Sequence, residues 1–171
     1  PVTDINGELH FTERGLEGRK IRGATLGAPV TVDIATEDGR VAVQANGSAS
    51  IAALRQHYTT PLLEHLAGSA PWSGVIRVKK RGAEVRVESS LLGISSSLPE
   101  PFNKTAGDVM PLVFELKGLP EPPAPKGVGA VPTPDERRDQ IEVSLGSTVR
   151  AQLQRRHGDS ATAVERGLIA I

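Results

Sequence analysis

Pro29-Val30-Thr31-Val32-Asp33-Ile34-Ala35-Thr36, followed by Glu37-Asp38-Gly39 and Arg40-Val41-Ala42-Val43-Gln44-Ala45, is the stretch on which the fold turns. Val30, Val32 and Ile34 alternate with Thr31 and Asp33, the period of two that sends successive side chains to opposite faces of a strand. Asp38-Gly39 offers the positive φ that a tight turn needs, and the alternation then resumes through Val41 and Val43. The stretch predicts an antiparallel hairpin with one apolar and one polar face.

The same pattern recurs downstream. Residues 74–79 and 84–88 are joined through Lys80-Arg81-Gly82-Ala83, with Ile76, Val78, Val85 and Val87 on one face and charged residues on the other. Further strands are expected at 7–11, 20–25, 109–117, 141–145, 148–153 and 163–170, with turns at Gly146-Ser147 and Gly158-Asp159. The exception is 50–66, where Ser48 or Ser50 is placed to cap a helix whose Ile51, Leu54 and Tyr58 share a face. Pro61 interrupts it, and a second short helix is expected through Leu62, Leu63 and Leu66, ending at Gly68. Six prolines between 118 and 140 lack ladder donors and predict an extended loop within a single unit spanning 1–171. The fold class expected is mainly β: an antiparallel, curled open sheet with one short helical segment near 50–66.

Composition narrows the function. Twenty Lys+Arg balance twenty Asp+Glu, so no net field draws in nucleic acid. Cysteine is absent, which removes thiolate metal sites and disulfides. Three Phe, one Trp, one Tyr and one Met are thin material for a thick sandwich and suit an open or shallow sheet. No run of 18 apolar residues reads as a transmembrane helix, and Pro1 opens directly into domain-like sequence, which predicts a fragment of something longer.

No catalytic pattern emerges. His57 and His65 lie eight residues apart across Pro61, outside the i, i+4 spacing of a helical zinc site, so neither metal nor cofactor is expected. Gly127-Val128-Gly129 sits in the Pro-rich loop without a strand before it or a helix after it. Asp33, Glu84, Glu88 and Glu115 fall at outward strand positions, and the serines at 89–90 and 95–97 have no His and Asp framework. The expectation is a protein that is not an enzyme.

A resemblance enters at Gly68-Ser69-Ala70-Pro71-Trp72-Ser73-Gly74, read as a small-residue turn carrying Trp-x-Gly before a hairpin. Ser89-Ser90-Leu91-Leu92-Gly93-Ile94 and Leu98-Pro99-Glu100-Pro101-Phe102-Asn103-Lys104 follow, then Met110-Pro111-Leu112. With the opening Val2–Phe11 and the turn Leu26-Gly27-Ala28-Pro29, this order over residues 2–117 resembles the YhdP-type family of AsmA-like proteins. Trp72, Gly74, Gly93, Leu98, Pro99, Pro101 and Lys104 are then expected as structural motif residues, with Pro99 and Pro101 fixing an extended turn. The resemblance implies the periplasmic part of a Gram-negative inner-membrane protein whose β-groove carries phospholipid between the two membranes. Its implied partners are phospholipids, the rest of the same chain and envelope proteins at either membrane.

Period two supplies a compatible mechanism, because an uninterrupted apolar face shelters acyl chains without chemistry. The lipid-contacting candidates are Val30, Val32, Ile34, Val41, Val43, Ile76, Val78, Val85 and Val87. Two other readings stay open: a closed dry core built from those same residues, and an envelope assembly or scaffold module that carries no lipid. The apolar run Gly167-Leu168-Ile169-Ala170-Ile171 further predicts an edge strand prone to pair with another copy.

Overall fold

The computed structural model describes residues 3–13, 15–25, 27–37, 39–79, 82–119, 137–158 and 162–171. The expectations for the Pro-rich stretch 120–136, and for Val2, Leu26, Asp38, Lys80, Arg81 and Asp159, lie outside the described residues. The strands are β1 (Thr3–Asn6), β2 (Leu9–Thr12), β3 (Gly15–Thr25), β4 (Ala28–Glu37), β5 (Arg40–Ser50), β6 (Leu66–Lys79), β7 (Gly82–Ser89), β8 (Ile94–Ser96), β9 (Leu112–Gly118), β10 (Arg137–Leu145), β11 (Val149–His157) and β12 (Thr162–Ala170). One helix, α1 (Ile51–His57), and a 3-10 turn (Pro61–His65) separate β5 from β6.

All twelve strands belong to one antiparallel sheet, in the order β1-β3-β4-β5-β6-β7-β9-β10-β11-β12, with β2 paired to β3 and β8 to β6. The order never closes, so β1 and β12 remain edges. The predicted hairpins are present: Glu37 pairs with Arg40 and Lys79 with Gly82 at their tips. The strands expected at 20–25, 141–145, 148–153 and 163–170 are found with longer bounds, whereas the one expected at 7–11 is only Leu9–Thr12, with a separate β1 before it, and the one expected at 109–117 starts at Leu112, after the Met110-Pro111 pair. β10 begins inside the stretch expected as loop, and Leu119 N–H donates to Arg138 O at 2.9 Å beside the β9–β10 ladder.

Four local expectations are corrected. Residues 66–74 are the first half of β6, where a helix end and a turn were expected. Pairing explains it: Ser69 to Trp72 lie opposite Ser50 to Gly47, and β5 supplies a ladder that small residues follow. Pro71 is accommodated there because β7 pairs with β6 only from Ser73 onward, and the Ser89 hydroxyl meets Pro71 O at 2.7 Å instead. Gly68 and Gly93 adopt φ of +99° and +96°, and a Cβ on either would stand 2.0 and 2.3 Å from the other segment's carbonyl oxygen. Only glycine permits β6 and the 90–94 loop to cross so closely.

Ser50 is the helix N-cap, as expected of one of two serines, but its side chain makes no cap bond; Ser48 Oγ donates instead to Ala70 O at 3.2 Å. The second helix is the 3-10 turn alone, ended by Leu66 as β6 begins. Residues 98–102 form a tight turn rather than an extended one, closed by Phe102 N–H to Pro99 O at 3.0 Å, with a cis peptide before Pro101.

Little of the molecule is deeply buried. The buried hydrophobic residues are Val30, Ala42, Ile51, Leu63, Ala70 and Ile94, and four of these, Ile51, Leu63, Ala70 and Ile94, form a cluster under α1. The apolar sheet face, for which a closed dry core was one of the open readings, is only half-covered, with Ile76 38% and Val78 46% exposed. A closed sandwich would hide both.

Candidate functional site: the apolar face and its cavity

Register carries the apolar face from strand to strand. Ile34 lies opposite Val43, Val43 opposite Ile76, Ile76 opposite Val85, Val85 opposite Leu116, Leu116 opposite Ile141, and Ile141 opposite Leu153. Two residues along, a parallel row runs Val32, Ala45, Gly74, Val87, Phe114, Val143, Ala151 and Ile169. Directly opposed side chains share a face, so these rows form one uninterrupted apolar strip across the sheet.

The other face is charged. Its row runs Asp33, Gln44, Val75, Arg86, Glu115, Glu142 and Gln152. Arg86 pairs with both Glu88 and Glu115, and Lys117 Nζ reaches Glu115 Oε2 at 2.6 Å. Hydrogen bonding from Lys117, opposed by partial desolvation and aided by Arg86, holds the Glu115 carboxyl below its ordinary value. Such exposed pairs add little stability and keep this face wet.

On the apolar side the sheet bounds a half-open cavity of about 880 Å³. Its lining draws on β1, β2 and every strand from β3 to β7: Ile5 and Leu9 at one side, Val85 and Val87 at the other. Strands stand roughly 4.8 Å apart, so a flat sheet would hold those residues more than 20 Å from each other across an open plane. A shared cavity means that the sheet curls. Of the nine candidate residues, Val30, Val32, Ile34, Val43, Ile76, Val85 and Val87 line it, whereas Val41 and Val78 share the face by register but lie beyond it.

Trp72, expected as a structural residue, also lines this cavity. Its ring covers Gly47, the residue directly opposite, and Gly74, two positions on: a Cβ at either would stand 3.2 or 3.3 Å from ring carbons. Trp-x-Gly is thus a ring and the gap it lies over. The indole Nε1 is buried without a hydrogen-bond partner among the described residues.

Lys104 is the second motif residue whose role becomes visible. Its side chain is buried, and Nζ donates to Leu91 O at 3.0 Å, Thr105 O at 2.9 Å and Ile94 O. Three carbonyls use its three donors, which pins the 90–105 loop under the sheet end. Leu98 and Phe102 are half-buried beside it. Gly93 N–H donates to Ala106 O at 2.8 Å and closes the same loop.

The lining also contains Ile5, Leu9, Ile21, Ala45 and Tyr58, none of which stood among the candidates. Ile21 was detectable on the strand expected at 20–25, but a register shift between Gly18 and Ile21, with Lys20 at φ +52°, changes the face that simple alternation assigns. Tyr58 was placed on the helix and instead follows its end.

A family model described as "YhdP: YhdP protein" matches residues 1–171. The intermembrane phospholipid transporter YhdP of Escherichia coli (strain K12) is 29% identical over 128 residues, covering 68% of this chain and 10% of that protein. The chain therefore spans about a tenth of the length of this curated relative. No solved structure matches.

Proposed function

We propose, from the premise that this chain belongs to the YhdP family, that its apolar face is one stretch of a groove along which a larger protein carries phospholipid between membranes. The observation that carries the reading is the unbroken apolar strip on the inner side of a curled, unclosed sheet whose outer face is charged. Acyl chains on such a strip leave water without chemical change, gaining roughly 0.8 kcal/mol per buried methylene, and each step to the next strand meets the same surface. A conduit of this kind needs neither nucleophile nor metal.

We assign the segment to the periplasm of a Gram-negative envelope, within a protein anchored in the inner membrane. No helix among the described residues is long and apolar enough to cross a membrane. Phospholipid is proposed as the cargo because the E. coli relative is named an intermembrane phospholipid transporter.

The test places a photo-crosslinking amino acid at Ile34 or Val85 in the full-length protein, with Arg77 on the other face as control. The inner positions are expected to yield phospholipid adducts and Arg77 none. Ile34→Asp or Val78→Arg should reduce the adduct yield at neighbouring inner positions while expression holds. Equal labelling on both faces, or none on either, overturns the groove and favours a module that assists envelope assembly without carrying lipid.

A further inference from the structure

At the sheet end covered by α1, the 3-10 turn and the 90–111 loop lies a second cavity, of about 450 Å³. Ile51, Leu63, Ile94, Leu98, Phe102 and Met110 contribute to its wall. It is a half-open, almost wholly apolar concavity, of the size and character that ligand sites have. Water is a poor occupant. The polar side chains at the wall are already engaged: Ser89 Oγ donates to Pro71 O and accepts from Leu91 N–H, Ser96 Oγ accepts from Leu98 N–H at 3.3 Å, and Lys104 spends its ammonium on three carbonyls. Lys104 therefore presents its methylene stem, and an anionic headgroup would find no free donor. An apolar pocket whose polar groups are already paired favours hydrocarbon.

Its position identifies which hydrocarbon. Ala49 lines both this cavity and the larger one on the sheet face, and its cross-strand neighbour is Ala70, so small side chains floor the junction. A dry cavity of roughly 150 Å³ accepts benzene; three times that volume takes on the order of a dozen or more chain carbons.

We propose that the capped cavity is an acyl-end pocket, holding the methyl end of one hydrocarbon chain of a lipid whose remaining length lies along the apolar strip. The proposal rests on the groove reading above and adds an orientation to it: chain ends point toward α1, and the headgroup lies away from it. The cap then stops the groove along this side and limits the length of chain it accepts.

The experiment uses full-length protein carrying p-benzoylphenylalanine at Phe102, an aromatic replacing an aromatic, or at Leu62, which lines the pocket yet is 52% exposed, so its replacement spares the buried cluster. Val85 carries the same group as a strip position. After irradiation, fragmentation mass spectrometry of the lipid adducts locates the bonded carbon. Adducts from Phe102 and Leu62 concentrated in the last third of the chain, with Val85 adducts nearer the carboxyl end, are the expected result. Adducts at Val85 with none at the two cap positions overturn the pocket and leave the groove standing. Cap adducts near the carboxyl end overturn the orientation. Absence of adducts at all three positions removes the groove reading itself, and the pocket with it.

Discussion

The strands β4 to β7 and the strands β9 to β12 present the same apolar rows, yet they finish differently at the strand ends remote from α1. In the first set the face stays largely apolar to its rim: Thr36 lies opposite Val41, and Val78 opposite Ala83. In the second, the row after Ile141 and Leu153 is Asp139 opposite Arg155, and the next is Arg137 opposite His157. Arg155 Nε and Nη2 meet the two Asp139 oxygens at 2.9 and 2.8 Å, His157 Nε2 meets Oδ2 at 2.7 Å, and His157 Nδ1 lies 3.0 Å from Thr162 Oγ1. The difference teaches that register decides which face a residue shares, while pairing decides whether a charge is tolerated there. A carboxylate beside an apolar strip is sustainable because a bidentate guanidinium and an imidazole share it.

The largest effect that would sharpen this contrast is expected at the aromatic anchor, which lies in the first set of strands. Trp72→Ala removes the ring over Gly47 and Gly74 and should lower unfolding stability by about 3 kcal/mol, the low end for a large aromatic because Trp72 is half-buried rather than buried. Urea denaturation measures it. An unchanged midpoint would mean that the two sets of strands are held by the same scattered contacts.

Next comes the ion pair at the inner-face rim of the second set. Arg155→Ala leaves Asp139 with His157 alone at a side-chain exposure of 14%, and should cost about 2 kcal/mol at neutral pH. Asp139→Asn combined with Arg155→Ala should cost less than the two single changes added, since neither partner is then left alone. Additive losses would show that the pair does not act as a unit.

The pair also sets a pH dependence. Burial pushes the Asp139 carboxyl up, but hydrogen bonds from Arg155 and His157, with their charges, outweigh it and hold the group below its ordinary 3.8. A carboxylate depressed on folding stabilises the protein above the unfolded value. That contribution fades as pH falls from about 4 through the lower folded value. Wild-type protein should therefore lose stability over that interval more steeply than Asp139→Asn, as followed by thermal unfolding in acid. Parallel curves would break the assignment.

How much of this was legible in the sequence depends on separation along the chain. Val30, Val32 and Ile34 with Asp38-Gly39 announce a hairpin because period and turn lie within one short segment. The first half of β6 is illegible for the opposite reason. Gly68, Ser69, Ala70 and Pro71 have turn-like propensities, and only the ladder from β5 makes them a strand. The capped cavity draws residues from Ala49 to Leu145, and Asp139 meets His157 across a hairpin, so neither is a pattern that any short window contains. Trp72 and Lys104 stood out by motif, but the sequence offered no sign that one lines the inner face and the other binds three carbonyls.

The smallest expected effect tests the contrast between the faces themselves. Arg77 lies opposite Glu84, one residue along from the Ile76 and Val85 pair, and so projects to the charged side. It is exposed, with Glu84 on one side and the small Ala42 on the other. Arg77→Ala should change stability by no more than about 0.5 kcal/mol, the usual range for an exposed surface substitution. Lipid adduct yield at Val85 should stay the same, because the sheet separates the two side chains. Ile76→Asp, one position away, places a charge on the apolar row with no guanidinium opposite it and should lower that yield strongly. The comparison holds if one residue of displacement along β6 decides between the two outcomes. If Arg77→Ala and Ile76→Asp reduce the yield alike, the side of the sheet has no bearing on lipid, and the apolar strip is a structural feature alone.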